Sequence, residues 1–525
     1  MSYFDYVSQA FLAVFTIQNI AVIFGGMLLG MVIGCIPGLS VTLGIILFLP
    51  LTYSIKDPST AIISLLAVYV GGMYGGSISA ITLNTPGTNS AIATTFDGYP
   101  LAKRGRVLQA LDTSLFSSSF GGIIGAALLL LLSAPIAQFV NKFTSVEYFS
   151  MAVLGISLLA GVSGNSLPKG ILSGLFGILL ASVGVDAVTG VARFTFGIPV
   201  LQFGIDMLPA MIALVALKQV CEKLSEYKVS GGDMGSATKI DKRGLTIGEM
   251  KSILPACTLS TLIASFIGAM PGVGGGVAQF LCYNQVKQTS KHPEQFGKGC
   301  LEGIAAAESS NNAVVGSAMI PLLTMGIPGD GVTALLLGAF ILHGLQPGPN
   351  MFTKQATQAY TIIVGCLVAN LFLYPLGKVM TRLVAKVVQV RYTYLAPAIM
   401  LFCFAGAFAG TGNFKEMAFC AALLVFSYLL KVLQIDAIPM LLGLILAKIM
   451  ETNFVTSMMS YDRDYLIFFK RPISLIILII TVILVASMIR INKKVEALNA
   501  AQAEEIEKLH QEMSTKETEQ AESLI

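Results

Sequence analysis

The sequence predicts an all-α polytopic membrane protein of about a dozen spans, built as two inverted-topology repeats with broken helices and re-entrant hairpins. Three observations predict it. Of 525 residues, 55% are hydrophobic and 12% charged, and the mean hydropathy of +0.77 is far from that of a soluble domain. The charges are segregated: Ser59–Phe96, Thr113–Asn141 and Ser252–Val286 contain no Asp, Glu, Lys or Arg. Finally, a set of Pro-Gly landmarks occurs twice in the same order.

A helix needs about 20 apolar residues to cross hydrocarbon, and each uncharged stretch is long enough. Further candidate spans are Tyr148–Pro168, Gly170–Val185, Pro199–Leu217, Gln355–Gly377, Tyr392–Phe414, Met417–Leu430, Ala437–Ala447 and Pro472–Ile489. Phe11–Gly34 is apolar enough to insert and lacks a basic leader, so it is expected to stay as membrane structure. The net charge is +4, with the basic residues in short loops, which argues orientation in a bilayer and no nucleic-acid partner. Eight dispersed cysteines without a Cys-x-x-Cys pair give no support to a metal or disulfide framework.

The polar stretch 222–251 contains Lys223, Lys228, Lys239, Lys242, Arg243 and Ser230-Gly231-Gly232, and reads as a cytoplasmic linker between a first repeat, 1–221, and a second, 252–460. Gly34-Cys35-Ile36-Pro37-Gly38 returns as Gly268-Ala269-Met270-Pro271-Gly272, and Thr82-Leu83-Asn84-Thr85-Pro86-Gly87 as Thr324-Met325-Gly326-Ile327-Pro328-Gly329. Gly164-Asn165 and Asp186 return as Gly412-Asn413 and Asp436. Corresponding loops carry opposite charge signatures. Lys103, Arg104 and Arg106 have almost no counterpart in His343–Lys354, whereas the loop of Lys142 returns with Lys378, Arg382, Lys386 and Arg391. Inversion of the second copy explains the alternation. An extra span is expected within 461–490, anchored by Arg490, Lys493 and Lys494, and a charged cytoplasmic tail over 491–525, either a solvated helix or a coiled-coil contact.

Proline removes a donor and glycine frees the backbone, so Pro37, Gly38, Pro271 and Gly272, with Pro86, Gly87, Pro328 and Gly329, predict helix breaks. Broken backbone inside a bilayer is tolerated where it is buried in protein or lines a wet cavity. Beside the breaks stand Ser40 and Thr42; Asn84, Thr85, Thr88, Asn89 and Ser90; Gly274, Gly275 and Gly276; and Gly331 and Thr333. As half-helix starts they would offer free N–H groups and a positive dipole end to a carboxylate. The bland alternative is that each pair only kinks its span; recurrence of the whole set favours a binding site. Glu308 and Asp330 flank the second-copy break and are the candidates for coupling to a sodium ion or proton, against simple interfacial placement. Asn311 and Asn312 could hold sodium near Asp330 with side-chain carbonyls, or join helices.

Enzyme readings find no constellation. Gly272-Val273-Gly274-Gly275-Gly276 ends an uncharged run instead of following a strand, which refuses a dinucleotide fingerprint. An intramembrane aspartyl protease would need Gly-x-Gly-Asp, but Asp330 follows Ile327-Pro328-Gly329, and Asp462 lies beside Arg463 and Asp464 in a loop. No other cofactor is implied.

At these residues the chain resembles the large membrane subunit, TctA, of the bacterial tripartite tricarboxylate transporters. The resemblance rests on Gly72-Met73-Tyr74-Gly75-Gly76-Ser77, Asn84-Thr85-Pro86-Gly87 and Asp97-Gly98-Tyr99-Pro100-Leu101-Ala102-Lys103-Arg104-Gly105. In the second half it rests on Lys291-His292-Pro293-Glu294-Gln295-Phe296-Gly297-Lys298-Gly299, Glu308-Ser309-Ser310-Asn311-Asn312-Ala313, Thr324-Met325-Gly326-Ile327-Pro328-Gly329 and His343-Gly344-Leu345-Gln346-Pro347-Gly348-Pro349. It implies an inner-membrane carrier of small di- or tricarboxylates driven by a sodium or proton gradient, with a small four-span membrane subunit and a periplasmic substrate-binding protein as partners. Asp330 departs from the family's usual small residue, and the segment after Tyr461 is elaborated. The alternatives are a standalone carboxylate symporter and, further off, a scaffold or a channel; a channel would need a continuous polar stripe that the helices lack.

Overall fold

The computed structural model describes residues 3–36, 39–162, 167–185, 190–229, 243–270, 274–387, 392–411 and 413–486. Several of the apolar helices open on a capping side chain or a proline. Helix α1 (Tyr3–Val14) is followed by α2 (Ile17–Cys35), whose Thr16 hydroxyl accepts from Asn19 N. Next, α3 (Val41–Thr52) is capped by Ser40, and α4 (Pro58–Leu83) by Asp57 with proline in its first turn. A 3₁₀ turn, Asn89–Ala91, leads into α5 (Ile92–Lys103), then α6 (Val107–Val140), α7 (Ser145–Val162) and α8 (Leu167–Ala181). A short antiparallel hairpin, β1 (Gly184–Val185) with β2 (Ala192–Arg193), precedes α9 (Met207–Met211), a π-helical stretch Ile212–Leu217, and α10 (Lys218–Val229).

In the second half α11 (Ile247–Gly268) opens with a Thr246/Glu249 capping box. It is followed by α12 (Gly274–Thr289), α13 (Leu301–Met325), α14 (Gly331–Leu342), α15 (Pro349–Thr353) and α16 (Ala356–Val387). The series ends with α17 (Tyr392–Thr411), α18 (Phe414–Val432), α19 (Ile438–Ser460), α20 (Ile467–Lys470) and α21 (Pro472–Ala486). Among the described residues, six helices are long and apolar enough to cross a membrane, namely α2, α4, α6, α11, α16 and α19, and α3, α7, α8, α14, α17 and α21 contribute shorter apolar segments. This is a multi-span helical protein.

The molecule is organised around α4 and α13, which are buried over nearly their whole length. Lipid tails are as apolar as leucine, so helix pairs in a bilayer gain most from close approach of backbones. The α2–α4 seam uses this: a methyl group on Gly30 would sit 2.2 Å from Val68 O, and one on Gly34 2.3 Å from Gly72 O. The α6–α13 seam is as tight, with Gly121 over Ser309 O and Gly125 over Ala313 O.

Several expectations change in detail. The stretch expected as a linker from residue 222 continues α10 to Val229; 230–242 lie outside the described residues, as do Gly164, Asn165, Asp186, Gly412 and the tail from 487. Uncharged Ser59–Phe96 forms α4, a break around Pro86-Gly87 and the start of α5. Helices α9 and α19 open alike: Asp206-Met207-Leu208-Pro209 precedes Lys218 by the same spacing at which Asp436-Ala437-Ile438-Pro439 precedes Lys448. Asp206 thus offers Asp436 a second match, beside Asp186, which lies outside the described residues.

Candidate functional site

Helix starts from both halves of the chain meet around one cavity of about 460 Å³. Its wall takes Ser40, Val41 and Thr42 from the start of α3, Thr88 and Ser90 from the segment before α5, Gly275, Gly276 and Val277 from α12, and Asp330, Gly331 and Val332 from α14. Met73 of α4, Leu214 and Val215 of the π-helical stretch, Lys218, Gln219 and Glu222 of α10, and Asp436 and Ile438 at the start of α19 complete it.

The breaks that deliver these residues have matching construction. Helix α4 ends where Asn84 turns left-handed (φ 57°), and the chain folds back so that Gly87 N donates to Gly76 O at 3.2 Å. A methyl group on Gly87 would lie 1.9 Å from Gly34 O and 2.9 Å from Gly76 Cα. Helix α13 ends at left-handed Gly326 (φ 74°), and a methyl group on Gly329 would lie 2.9 Å from Ala318 Cα and 3.0 Å from Gly268 O. In each case glycine is required by close approach to a buried long helix and to the end of the helix packed on it.

First-turn N–H groups have no partner within their own helix, so the starts of α3, α12 and α14 bring donors and positive dipole ends to the cavity wall. Ser40 caps Leu43 N, touches the Thr42 hydroxyl and donates to Gln219 Oε1 at 2.8 Å. Lys218, its side chain 13% exposed, lies 3.7 Å from Glu222 Oε1 and 4.0 Å from Asp436 Oδ1, two pairs at the outer limit of an ion pair. The Thr88 hydroxyl is buried without a hydrogen-bond partner among the described residues.

Asp330 is the N-cap of α14: Oδ1 accepts from Thr333 N at 2.8 Å and from the Thr333 hydroxyl at 2.7 Å, and Oδ2 accepts from Tyr69 OH of α4 at 2.8 Å. Thr333 is thereby a capping partner, fully buried and off the cavity wall. Glu308 lies away from the cavity and is fully buried. Its carboxylate accepts from Ser77 of α4 at 2.6 Å, from Ser118 of α6 at 2.8 Å and from Thr94 of α5. Asn311 donates to Met73 O at 3.2 Å and keeps a buried, unpartnered Oδ1. Asn312 points elsewhere: a methyl group on Gly122 of α6 would lie 3.5 Å from its Cβ, and neither amide atom has a partner among the described residues.

Other expected site residues separate. Asn84 and Thr85 are exposed and belong to the end of α4, because a left-handed residue there serves as a helix stop. Pro86, Pro328 and Gly329 build the breaks without lining the cavity. Pro37, Gly38, Pro271 and Gly272 lie outside the described residues, as does the side chain of Asn89, and Gly274 is described as the first residue of α12. Lys218, Gln219, Glu222 and Asp436 were not singled out as site residues from the sequence. The sequence signal that points to Lys218 and Asp436 is the paired Asp-x-x-Pro spacing to Lys218 and Lys448; the π-helical stretch, a feature common at functional sites, is seen in the structure alone.

Comparison with known proteins adds to this geometry. The sequence model of the Tripartite tricarboxylate transporter TctA family matches residues 20–442. The "Uncharacterized 52.8 kDa protein in TAR-I ttuC' 3'region" of Agrobacterium vitis is 34% identical over 467 residues, covering 89% of this chain and 92% of that protein. The "Uncharacterized protein in TAR-II ttuC' 3'region" of the same organism is 35% identical over 210 residues, 40% of this chain and 87% of that protein. No solved structure matches significantly.

Proposed function

The chain belongs to the tripartite tricarboxylate transporter TctA family, and from that premise we propose that it is the large permease subunit of a binding-protein-dependent secondary carrier importing small di- or tricarboxylates. The family is one of transporters and not of enzymes, and its systems are tripartite. In this reading the chain sits in a bacterial inner membrane, receives substrate from a periplasmic binding protein, assembles with a small four-span subunit and draws on a sodium or proton gradient.

The observation that carries the proposal is the convergence of helix starts from both halves, with Lys218, on one cavity. Two inverted repeats would bring them there. Supporting this, α4 packs on α2 and α16 while α13 packs on α11 and α6, the pairing expected if α2, α4 and α6 correspond to α11, α13 and α16. Substrate carboxylates would be held by first-turn N–H groups of α3, α12 and α14, by the Thr42, Thr88 and Ser90 hydroxyls, by the Ser40 hydroxyl on release of Gln219, and by Lys218. The loose contacts of Lys218 with Glu222 and Asp436 leave it able to exchange partners, as release of cargo demands.

For the coupling ion, Asn311 and Asp330 reach residues one turn apart on α4, Met73 and Tyr69, so a sodium site would draw on these two, with Asn312 facing α6 instead. Glu308, held by hydroxyls from three helices, is the residue for a proton-coupled mechanism.

The test is uptake by proteoliposomes containing the full complex, with Lys218→Met and Thr88→Leu compared against Leu131→Ala at an exposed position of α6. Both cavity variants should assemble and lose uptake. Wild-type affinity and rate in both would mean that the substrate site lies elsewhere.

A further inference from the structure

Lysine at the position of Lys448 has a definite environment. Ten residues into α19, it stands about 15 Å from the start of that helix, within a segment apolar enough to span a membrane. An ammonium there is expensive unless it meets a counter-charge or water. Lys448 is exposed and makes no hydrogen bond or ion pair among the described residues. It lines a second cavity, about 130 Å³, between α19 and the connection from α8 to α9.

The same cavity takes Arg193 from β2, Glu451 and Thr452 from α19, and Phe203 and Gly204 from the connection. Arg193 engages both carboxylate oxygens of Glu451, Nη2 donating to Oε2 at 3.1 Å and Nη1 to Oε1. That fork binds the acid to the arginine. Lys448 is then the charge left over, and the three side chains sum to one positive charge.

Lys448 matches Lys218 by spacing from Pro439 and Pro209. The matching differs in one respect: Lys218 has Glu222 one turn on, whereas Lys448 has Thr452 at that place. The main cavity supplies its lysine with carboxylates; the second supplies a hydroxyl and an open space. Counting helices from the basic loop Lys103–Arg106 through α6, α7 and α8 puts the α8–α9 connection on the opposite face, where substrate arrives.

We propose that this cavity is a second carboxylate site, in which Lys448 with Thr452 holds an incoming small di- or tricarboxylate before it reaches the main cavity. It rests on the transport reading and on the proposed inversion. An anionic lipid headgroup shares the chemistry, and the experiment separates the two.

The chain contains no tryptophan, so Phe203→Trp, at a rim position 87% exposed, installs the one tryptophan of the chain, which is excited selectively over the tyrosines at the red edge of their absorption. The full chain in zwitterionic nanodiscs is titrated with citrate and with succinate, using acetate and sodium chloride at matched ionic strength as controls. Citrate or succinate should give a saturable emission change that the controls do not. Lys448→Met should weaken it at least about tenfold, Lys448→Arg should largely restore it, and Lys218→Met should leave it in place. No saturable change with either probe, or a change indifferent to Lys448→Met, overturns the proposal. Loss in Lys218→Met would assign the signal to the main cavity and overturn a separate site. Emission that responds only to phosphatidylglycerol in the disc would assign the cavity to lipid. Failure of the transport reading is seen separately, as normal uptake in Lys218→Met.

Discussion

Replacing Gly87 by alanine sets a methyl group 1.9 Å from the carbonyl oxygen of Gly34 and 2.9 Å from Gly76 Cα. Relief to ordinary contact near 3.5 Å needs a shift of roughly 1.5 Å. The end of α2 cannot supply it freely, because Gly34 itself is held against Gly72 O. Alanine at Gly329 meets Ala318 Cβ at 2.8 Å and Gly268 O at 3.0 Å, about half that displacement. Overpacking of this kind costs about 1–3 kcal/mol, so Gly329→Ala should fall near the lower end and Gly87→Ala at or beyond the upper. Function should suffer in the same order, since Thr88, next in the chain, would be driven off the cavity wall. Seven of the eight cysteines are buried, so a thiol-reactive dye reports unfolding on heating, and proteoliposome uptake reports function. Gly87→Ala should melt below Gly329→Ala, and both below wild type. Wild-type melting and uptake in Gly87→Ala, or the reverse order, would refute the close-approach argument.

Glu308→Gln keeps the size of the side chain but replaces a carboxyl oxygen that accepts from the Ser77, Thr94 and Ser118 hydroxyls by an amide nitrogen that can only donate, and each such bond contributes about 0.5–1.5 kcal/mol. It should fold less stably and alter the ion dependence of uptake; a merely lower melting temperature with unchanged ion dependence would leave Glu308 a structural hub. For topology, cysteines introduced at the exposed positions Arg104 and Asn350 in a cysteine-free background should label from opposite sides of the membrane, and labelling of both from one side would end the inverted-repeat reading.

How far these features could be read beforehand depends on how local their causes are. Proline and glycine inside an uncharged run have a local meaning, and the starts of α12 and α14 follow from them. Asn84 shows where local reading stops: the same residue type suits a ligand or a left-handed helix end, and only the fold-back onto Gly76 decides. The role of Asp330 was partly legible, since Asp330 and Thr333 have the spacing of a capping box, but its second oxygen is taken by Tyr69, 261 residues away. Glu308 is the extreme case, because its three donors come from α4, α5 and α6, each far off in sequence. Nothing local marks Lys218, which directly follows the apolar run Pro199–Leu217. The π-helical stretch before it and the hydrogen bond from Ser40 to the neighbouring Gln219 bring it to the cavity wall.

The charge around the main cavity sets a condition on binding that can be tested directly. Lys218 faces Glu222 and Asp436, and Asp330 adds a third carboxylate to the wall. With all four ionised the wall carries two net negative charges, yet the proposed cargo is an anion. Two like charges about 5 Å apart repel by about 3 kcal/mol at an effective dielectric of about 20, so each substrate carboxylate placed near Lys218 meets both an attraction and competing repulsions of that size. The helix starts offset part of this, each contributing about 0.3–1 kcal/mol. Under the transport reading, binding would then be helped by neutralisation of an acidic group, and by linkage the substrate would in turn raise affinity for the neutralising cation. Substrate binding to the full chain, measured by calorimetry with and without sodium and at two pH values, should tighten with sodium or with acid. Asp436→Asn should reduce that dependence by removing one repelling group, even where it weakens the hold on Lys218. A dissociation constant indifferent to both cations in wild type, with Asp436→Asn no different, would show that the acidic wall does not act on the substrate and that coupling must arise in the movement of the helices instead.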